Sequence, residues 1–130
     1  MKYSKAFFLL LALSLCFSCN RDDDDNTDQP TPIGRIFGQV MHHEDLIPDA
    51  LVYIKYDATE FPGIDPSNYD DQVTVDSIDA SFEFTNLGKG SYYLFGIGND
   101  EACFCEVIGG IPVALISDEA TFETIVPVTE

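Results

Sequence analysis

The sequence predicts an all-β fold, and three observations support this prediction. The stretch 79–98, DASFEFTNLGKGSYYLFGIG, holds two short runs in which apolar and polar residues alternate, as they do in a strand with one buried face. The turn between these runs, residues 86–90, contains two glycines that suit a tight reversal. From Ile33 onward, runs rich in Val, Ile, Phe, Tyr and Thr recur, and no window sustains helical spacing over three turns.

Eight short runs are predicted to form strands. In chain order they cover residues 35–42, 50–56, 72–76, 81–86, 91–98, 104–108, 111–115 and 122–128. Because no helical crossover separates them, they predict a seven- or eight-stranded antiparallel Greek-key β-sandwich in residues 33–130. The residues expected to form its buried faces are Ile36, Val40, Ala50, Val52, Ile54, Phe82, Phe84, Tyr92 and Leu94.

Composition and charge narrow the classes of partner. The chain has 130 residues, enough for one domain, and 45% of them are hydrophobic, enough for a real core. Its 23 acidic residues against six basic ones give a formal net charge of −17. Such a surface repels phosphate groups and anionic lipid head groups, so the sequence argues against nucleic-acid binding.

Residues 1–18 have the layout of a secretory signal. Lys2 and Lys5 precede an apolar run that is too short to cross a bilayer as a helix, and Ser18 suits the position before a cleavage site. The segment resembles a bacterial lipoprotein signal peptide, and that resemblance implies that Cys19 receives the lipid. The alternative is an ordinary secretory signal followed by a coincidental cysteine.

Four carboxylates follow the predicted anchor closely. They are Asp22, Asp23, Asp24 and Asp25. This run resembles the acidic export signal of surface lipoproteins in Bacteroidota-type bacteria, which implies a lipid-anchored protein of the outer membrane that faces the cell exterior. A self-repelling acidic tether is the simpler interpretation, and the two are compatible. Residues 20–32 are polar or proline, so residues 19–32 are expected to form a lipidated, disordered tether.

Four segments of the folded part carry a family pattern. They are residues 36–40 (IFGQV), 48–54 (PDALVYI), 80–84 (ASFEF) and 87–94 (LGKGSYYL). Together they resemble the carboxypeptidase regulatory-like (transthyretin-like) β-sandwich modules, although the first turn lacks its usual glycine and Ala80 stands where glycine is usual. Modules of this family are typically accessory and non-catalytic, so the resemblance implies a non-enzymatic role.

Cys103 and Cys105 flank Phe104 and form a candidate disulfide or thiol pair. In a strand, their Cα atoms would lie about 6.6 Å apart on one face, near the upper limit of disulfide geometry. A strained or loop-borne disulfide is compatible with an exported protein. Two thiols packed as small hydrophobic groups are the favoured alternative, and redox or metal chemistry is less favoured.

The run His42-His43-Glu44-Asp45 raises the question of a metal site. Adjacent strand residues point to opposite faces, so both imidazoles can reach one ion only in an irregular turn. No second cluster of His or Cys has the spacing of a known zinc site. The sequence therefore favours a solvated polar turn and predicts no metal site.

The stretch 57–71, DATEFPGIDPSNYDD, is the candidate ligand loop. The residues singled out in it are Phe61, Asp65, Tyr69, Asp70 and Asp71. Its carboxylates could hold calcium, but the regular spacing of a calcium loop is absent. Its aromatic rings could offer faces to a sugar or a peptide, and a mobile surface loop remains the simpler interpretation.

Catalytic motifs are absent from the sequence: it has no nucleophile elbow, no metalloprotease histidine pair and no phosphate-binding glycine loop. We therefore expect a non-enzymatic lipoprotein with a binding or structural role at the cell envelope and no cofactor. Its expected partners are membrane lipid through Cys19 and either an outer-membrane protein or a glycan. The alternatives are a glycan-binding module of a polysaccharide-capture system and a small hydrolase with an unrecognised site.

Overall fold

The computed structural model describes residues 29–130, which fold into eight strands and one short helix. The strands are β1 (Gly34–His42), β2 (Asp45–Leu46), β3 (Leu51–Tyr56), β4 (Asp71–Thr74), β5 (Ser81–Leu87), β6 (Gly90–Asp100), β7 (Cys105–Leu115) and β8 (Thr121–Val128). The helix is a 3-10 turn, Pro66–Asn68. The predictions for the signal peptide, for Cys19 and for Asp22–Asp25 lie outside the described residues. No helix within residues 29–130 is long and apolar enough to span a membrane.

The strands form two sheets, so the predicted all-β sandwich is confirmed. In sheet A, β1 pairs with β8 along one edge and with β5 and β2 along the other. Sheet B has the order β4-β3-β6-β7. The β1–β8 pair is parallel, whereas the other strand pairs are antiparallel, so the sheets are not purely antiparallel as predicted.

The stretch 79–98 forms a corner between the two sheets. Its first strand, β5, pairs with β1 in sheet A, and its second, β6, pairs with β3 and β7 in sheet B. In the turn 86–90, the residue with a left-handed backbone is Asn86, at φ 59°, whereas Gly88 and Gly90 have no positive φ. An Asn tolerates this conformation, so the expectation that the glycines make the reversal is wrong.

The predicted strands 104–108 and 111–115 are one strand, β7, which continues through Gly109 and Gly110. A Cβ on Gly109 would overlap the carbonyl oxygen of Pro127, and one on Gly110 would overlap that of Leu94. These glycines therefore allow close packing of backbones inside the sandwich, and the prediction that they interrupt the strand is wrong.

The core lies between the two sheets, and all nine residues predicted for it belong to its buried cluster. Sheet A contributes Ile36 and Val40, which are fully buried, while Val52 and Leu94 face them from sheet B. Gly38 lies between Ile36 and Val40, where a Cβ would overlap the backbone of Thr124 in β8. A glycine at this position therefore lets β8 approach β1 closely.

Three turns adopt left-handed backbones without glycine. His43 (φ 55°) does so between β1 and β2, Asp49 (φ 58°) between β2 and β3, and Ala80 (φ 53°) before β5. Ala80 is also buried, and its carbonyl oxygen accepts a hydrogen bond from the backbone N–H of Val40. Tertiary contacts therefore hold a residue that would prefer another conformation.

The described chain enters the fold at one end of the sandwich, which we call the entry end. There the backbone N–H of Ile33 donates to Asp118, and that of Arg35 donates to Ala120. The parallel strands β1 and β8 both run from this end to the opposite end, which we call the far end. His42 is paired with Val128 at the far end, so residues that follow β8 come close to His42.

Candidate functional site

The candidate ligand loop, residues 57–71, packs against the outer face of sheet B. The ring of Tyr69 stacks on Phe95, with centroids 5.6 Å apart, and its hydroxyl donates to the carbonyl of Gly63 at 2.8 Å. Phe61 is 49% exposed, and its ring also contacts Phe95 at 5.2 Å. Phe95 is only 1% exposed because the loop covers it. The loop and this face of the sheet thus form a second, aromatic cluster outside the main core.

The carboxylates of this loop bind the loop's own backbone and its neighbours. Asp65 accepts a hydrogen bond from the backbone N–H of Ser67 and caps the 3-10 helix. Asp71 accepts one from the adjacent backbone N–H of Gln72. Because these oxygens serve different local partners, they do not converge on one point as calcium ligands would.

Asp70 fastens the end of the loop to β3. One of its oxygens accepts a hydrogen bond from the backbone N–H of Tyr56 at 2.7 Å, and the other accepts one from Lys55 Nζ at 3.0 Å. The Tyr56 N–H is the main cause of a lowered pKa of the Asp70 carboxyl, and Lys55 adds to it. Burial raises the pKa of Tyr69 to about 12.

Little space remains for a ligand between the loop and sheet B. A hollow of about 270 Å³ lies there, which is below the usual range of roughly 300–1,000 Å³ for ligand pockets. It is lined by Tyr53, Pro66, Tyr69, Asp70, Asp71 and Gln72. Phe61 and Tyr69, the two rings that could have offered faces to a sugar or a peptide, pack in part against sheet B.

The outer face of sheet A carries a groove along β1, between β5 and β8. Its volume of about 640 Å³ falls within the range of ligand pockets. The lining residues are Phe37, Gly38, Gln39, Ser81, Glu123, Thr124 and Ile125. They combine an aromatic ring and an aliphatic side chain with amide, hydroxyl and carboxylate groups.

Contacts along the same face hold the central side chains of this groove in place. The guanidinium of Arg35 lies 4.7 Å from the centroid of the Phe37 ring and donates a hydrogen bond to Glu83 at 2.9 Å. Gln39 Nε2 donates to the carbonyl oxygen of Asp79 at 2.8 Å. A second hollow of about 500 Å³ lies on the other side of Phe37, which lines both. Phe37 is thus a ridge between two depressions.

Sequence reasoning missed this groove, although part of the signal was present. Ile36 and Val40 were predicted to face the core, so the alternation of a strand places Phe37 and Gln39 outward. An outward-facing Phe between the outward-facing polar residues Arg35 and Gln39 was the available sign of a binding face. The wall of the groove formed by β8 depends on a parallel pairing between the beginning and the end of the domain, which local patterns do not encode.

The far end holds a cluster around His42, the last inward-facing residue of β1. His42 is only 5% exposed, so the expectation of a solvated turn is wrong for this residue. Its Nδ1 lies 2.6 Å from Oδ2 of Asp100, a carboxylate that is also buried. This hydrogen bond is the main cause of the raised pKa of His42 and, from the other side, of the lowered pKa of Asp100.

The Cys103–Cys105 pair lies next to Asp100 and is joined as a disulfide. The Cα atoms are 5.2 Å apart, closer than in a flat strand, because Phe104 between them has a φ of 55°. The pair therefore forms a tight turn before β7, and it presents the Phe104 side chain, 94% exposed, to solvent.

Comparison with solved structures shows a similarity of fold. No protein-family model matches the chain, and no curated protein matches it. The fold is similar to the crystal structure of a "putative carbohydrate binding protein" from Pseudomonas aeruginosa, with a TM-score of 0.50 and 11% identity. The match covers 75% of this chain and 89% of that one. At this identity the likeness shows a shared β-sandwich fold alone, and the carboxypeptidase regulatory-like family stays a prediction from residues 36–94.

Proposed function

We propose that the protein is a non-enzymatic, lipid-anchored binding protein of the cell envelope, and that its ligand is a glycan. One observation carries the proposal: the outer face of sheet A bears a groove of about 640 Å³ along β1. The outer face of sheet B is, by contrast, covered by its own loop, as the burial of Phe95 indicates.

The chemistry of the groove matches a sugar better than an apolar ligand. A pyranose ring has an apolar face, which packs on an aromatic ring, and a rim of hydroxyl groups that donate and accept hydrogen bonds. Phe37 supplies the ring, and the polar groups around it are the amide of Gln39 and the carboxylate of Glu123. The hydroxyl of Ser81 can serve in both roles, whereas that of Thr124 already donates to the carbonyl oxygen of Ile125 at 3.3 Å.

The charge of the surface favours a neutral glycan. The net charge of the chain is −17, and Glu123 lines the groove itself. Arg35, the basic residue beside Phe37, is already bound to Glu83. A sulfated or uronic-acid polymer would therefore meet repulsion on approach, whereas a neutral polysaccharide would not.

The structural neighbour from Pseudomonas aeruginosa supports the ligand class, since its description names carbohydrate binding and no reaction. This support is limited to a shared fold, because function depends on the site that a fold carries. The groove residues of this chain are therefore the basis of the proposal.

A binding assay with paired variants tests the ligand and its place. The full chain is screened against immobilised neutral polysaccharides, together with Phe37→Ala and the matched control Phe61→Ala in the loop that packs on sheet B. We expect binding that falls at least about tenfold in Phe37→Ala and is unchanged in Phe61→Ala. Loss in Phe61→Ala alone would move the site to the 57–71 loop, and no binding to any glycan would contradict the ligand class.

The anchor is tested separately by metabolic lipid labelling with protease treatment of intact cells. We expect the lipid label on the wild type, its loss in Cys19→Ser, and cleavage of the protein from outside. An unlabelled wild type would contradict the lipid anchor. A labelled protein that resists external protease until the cells are broken would contradict display on the cell exterior.

A further inference from the structure

Three potential metal ligands meet at the far end of the sandwich. His42, His43 and Glu130 each bring one ligand atom to within 4.8 Å of the other two. β1 supplies His42, and the parallel β8 delivers Glu130 beside it, because Val128 is paired with His42. The left-handed backbone of His43 (φ 55°) turns its ring toward that of His42, with centroids 4.2 Å apart.

The turn at His43 lets both imidazoles approach the same point, which a regular strand would prevent. Adjacent residues of a regular strand point to opposite faces, which would keep the two imidazoles apart. His43 lies just beyond the end of β1, where the chain leaves the strand conformation. Both rings can therefore serve one ion.

His42 presents a buried nitrogen that makes no hydrogen bond. Its Nε2 is inaccessible to solvent and has no hydrogen-bond partner. Glu130 Oε2 lies 2.7 Å away, but off the direction in which an N–H would point. The other ring nitrogen of His42, Nδ1, lies 2.6 Å from the Asp100 carboxylate. In this arrangement Nδ1 carries the proton and Nε2 keeps its lone pair. A carboxylate behind a histidine is the usual support of a metal-ligating imidazole.

We propose that His42, His43 and Glu130 form a binding site for a divalent ion of the zinc type, with Asp100 as the positioning residue. Two imidazole nitrogens and one carboxylate oxygen suit zinc, whereas calcium and magnesium prefer oxygen ligands alone. Zinc bound to such atoms in a tetrahedron would hold them roughly 3.3 Å apart, given metal–ligand bonds of about 2.0–2.1 Å. His43 and Glu130 are both exposed, so their side chains are free to move by the short distance that brings the ligand atoms onto one ion.

Cys103 lies close to the site but is not one of the ligands. Its sulfur is within 4.8 Å of ligand atoms of His42 and Asp100. Because it is bonded to Cys105, it carries no thiolate for a metal. The three protein ligands therefore leave one tetrahedral position for water.

Calorimetric titration of the full chain with zinc tests the site, after a chelator has removed bound metal. The chain has only two histidines, so a site of this type can form in one place only. We expect one ion per chain and a higher melting temperature with zinc. Affinity should fall at least tenfold in His43→Gly, which keeps the left-handed backbone, and in Glu130→Gln. Asp100→Asn should weaken binding about 10–100-fold.

Glu44→Gln is the matched control, because it removes an exposed carboxylate next to His43 and leaves the three ligands intact; its affinity should equal that of the wild type. The absorption spectrum of bound cobalt gives a second readout, which should report nitrogen and oxygen ligation and disappear in His43→Gly. No binding, or equal binding in His43→Gly and Glu130→Gln, would overturn the proposal. This test uses no sugar, so its outcome is independent of the proposed glycan binding.

Discussion

The outer faces of the two sheets differ in how far their aromatic residues are covered by other parts of the chain. On sheet B, the 57–71 loop covers Phe95, and Phe61 and Tyr69 pack onto it. On sheet A, Phe37 lies between two hollows, with the guanidinium of Arg35 placed over its ring. The same residue type is thus structural on one face and available on the other.

The composition of the 57–71 loop is the reason why the sequence indicated a ligand loop there. A long segment rich in carboxylates and aromatics has the composition of a ligand loop. The same composition also suits a cover, because the rings fill an apolar face and the carboxylates satisfy the backbone of an irregular segment. Only the fold of the loop distinguishes the two, and here the acids bind the backbone of the loop and of the strands beside it.

The largest expected effect is that of Phe95→Ala, which removes the centre of the aromatic cluster on sheet B. Loss of a buried Phe should lower the free energy of unfolding by about 3–5 kcal/mol and expose the 57–71 loop to proteases. Chemical denaturation and limited proteolysis measure both effects. Ile125→Ala on the open face of sheet A is the control, with an expected change of about 0.5 kcal/mol or less. Similar losses in both variants would break the contrast between covered and open faces.

Gly38→Ala should have the next largest effect, because its new Cβ would overlap the carbonyl oxygen of Thr124. Relief requires β8 to move away from β1, which should cost about 1–3 kcal/mol and deform the groove. Gly88→Ala is the control, since its Cβ would meet two side-chain atoms and no backbone, an oxygen of Asp118 at 3.3 Å and the Cβ of Pro32 at 3.8 Å. Denaturation curves compare the two, and a Gly38→Ala variant as stable as the wild type would refute the close β1–β8 packing.

Tyr69→Phe should have a smaller effect, since it removes one hydrogen bond from the loop to itself. Its hydroxyl donates to Gly63, and loss of such a bond costs about 0.5–1.5 kcal/mol. Ultraviolet titration gives a second measure, because burial raises the pKa of Tyr69 to about 12. Burial also raises the pKa values of Tyr56 and Tyr92, so the phase of tyrosine ionisation at high pH should shrink by one tyrosine in Tyr69→Phe. If that phase is unchanged in Tyr69→Phe, Tyr69 is not buried between the 57–71 loop and sheet B.

The smallest expected effect is a loss of stability of the 57–71 loop at acidic pH. The Tyr56 N–H lowers the pKa of Asp70 in the folded state, with a contribution from Lys55. The carboxylate therefore stabilises the fold above its unfolded pKa of about 4, and this contribution is lost as the pH falls through the lower folded pKa. Protection of the Tyr56 amide from hydrogen exchange, corrected for intrinsic rates, should fall in that range. Asp70→Asn should abolish the dependence; an identical pH profile would assign it to another group.

The sequence was sufficient for the sandwich and its core, because both depend on local alternation. Ile36, Val40, Phe82 and Phe84 were correctly placed inside, since a strand buries every second residue. The continuous strand β7 was missed because a pair of glycines is typical of a turn. Here a glycine is needed because the backbone of Pro127, across the sandwich, leaves no room for a Cβ.

The candidate sites were harder to predict, since each joins residues that are distant in the chain. The groove brings Phe37 beside Glu123, and the far end brings His42 beside Glu130 and Asp100. Both arrangements follow from the parallel β1–β8 pair or from the ends of strands in different sheets. Neither leaves a pattern of local spacing, so sequence motifs could not reveal them.

The most direct measurement of the contrast is a nuclear magnetic resonance titration of the full chain with a neutral oligosaccharide selected in the binding screen. We predict that backbone amide shifts change along β1 and β8, around Phe37, Gln39 and Thr124, and stay constant in residues 57–71. Shift changes confined to residues 57–71, with none on the outer face of sheet A, would contradict the assignment of the open face as the binding surface.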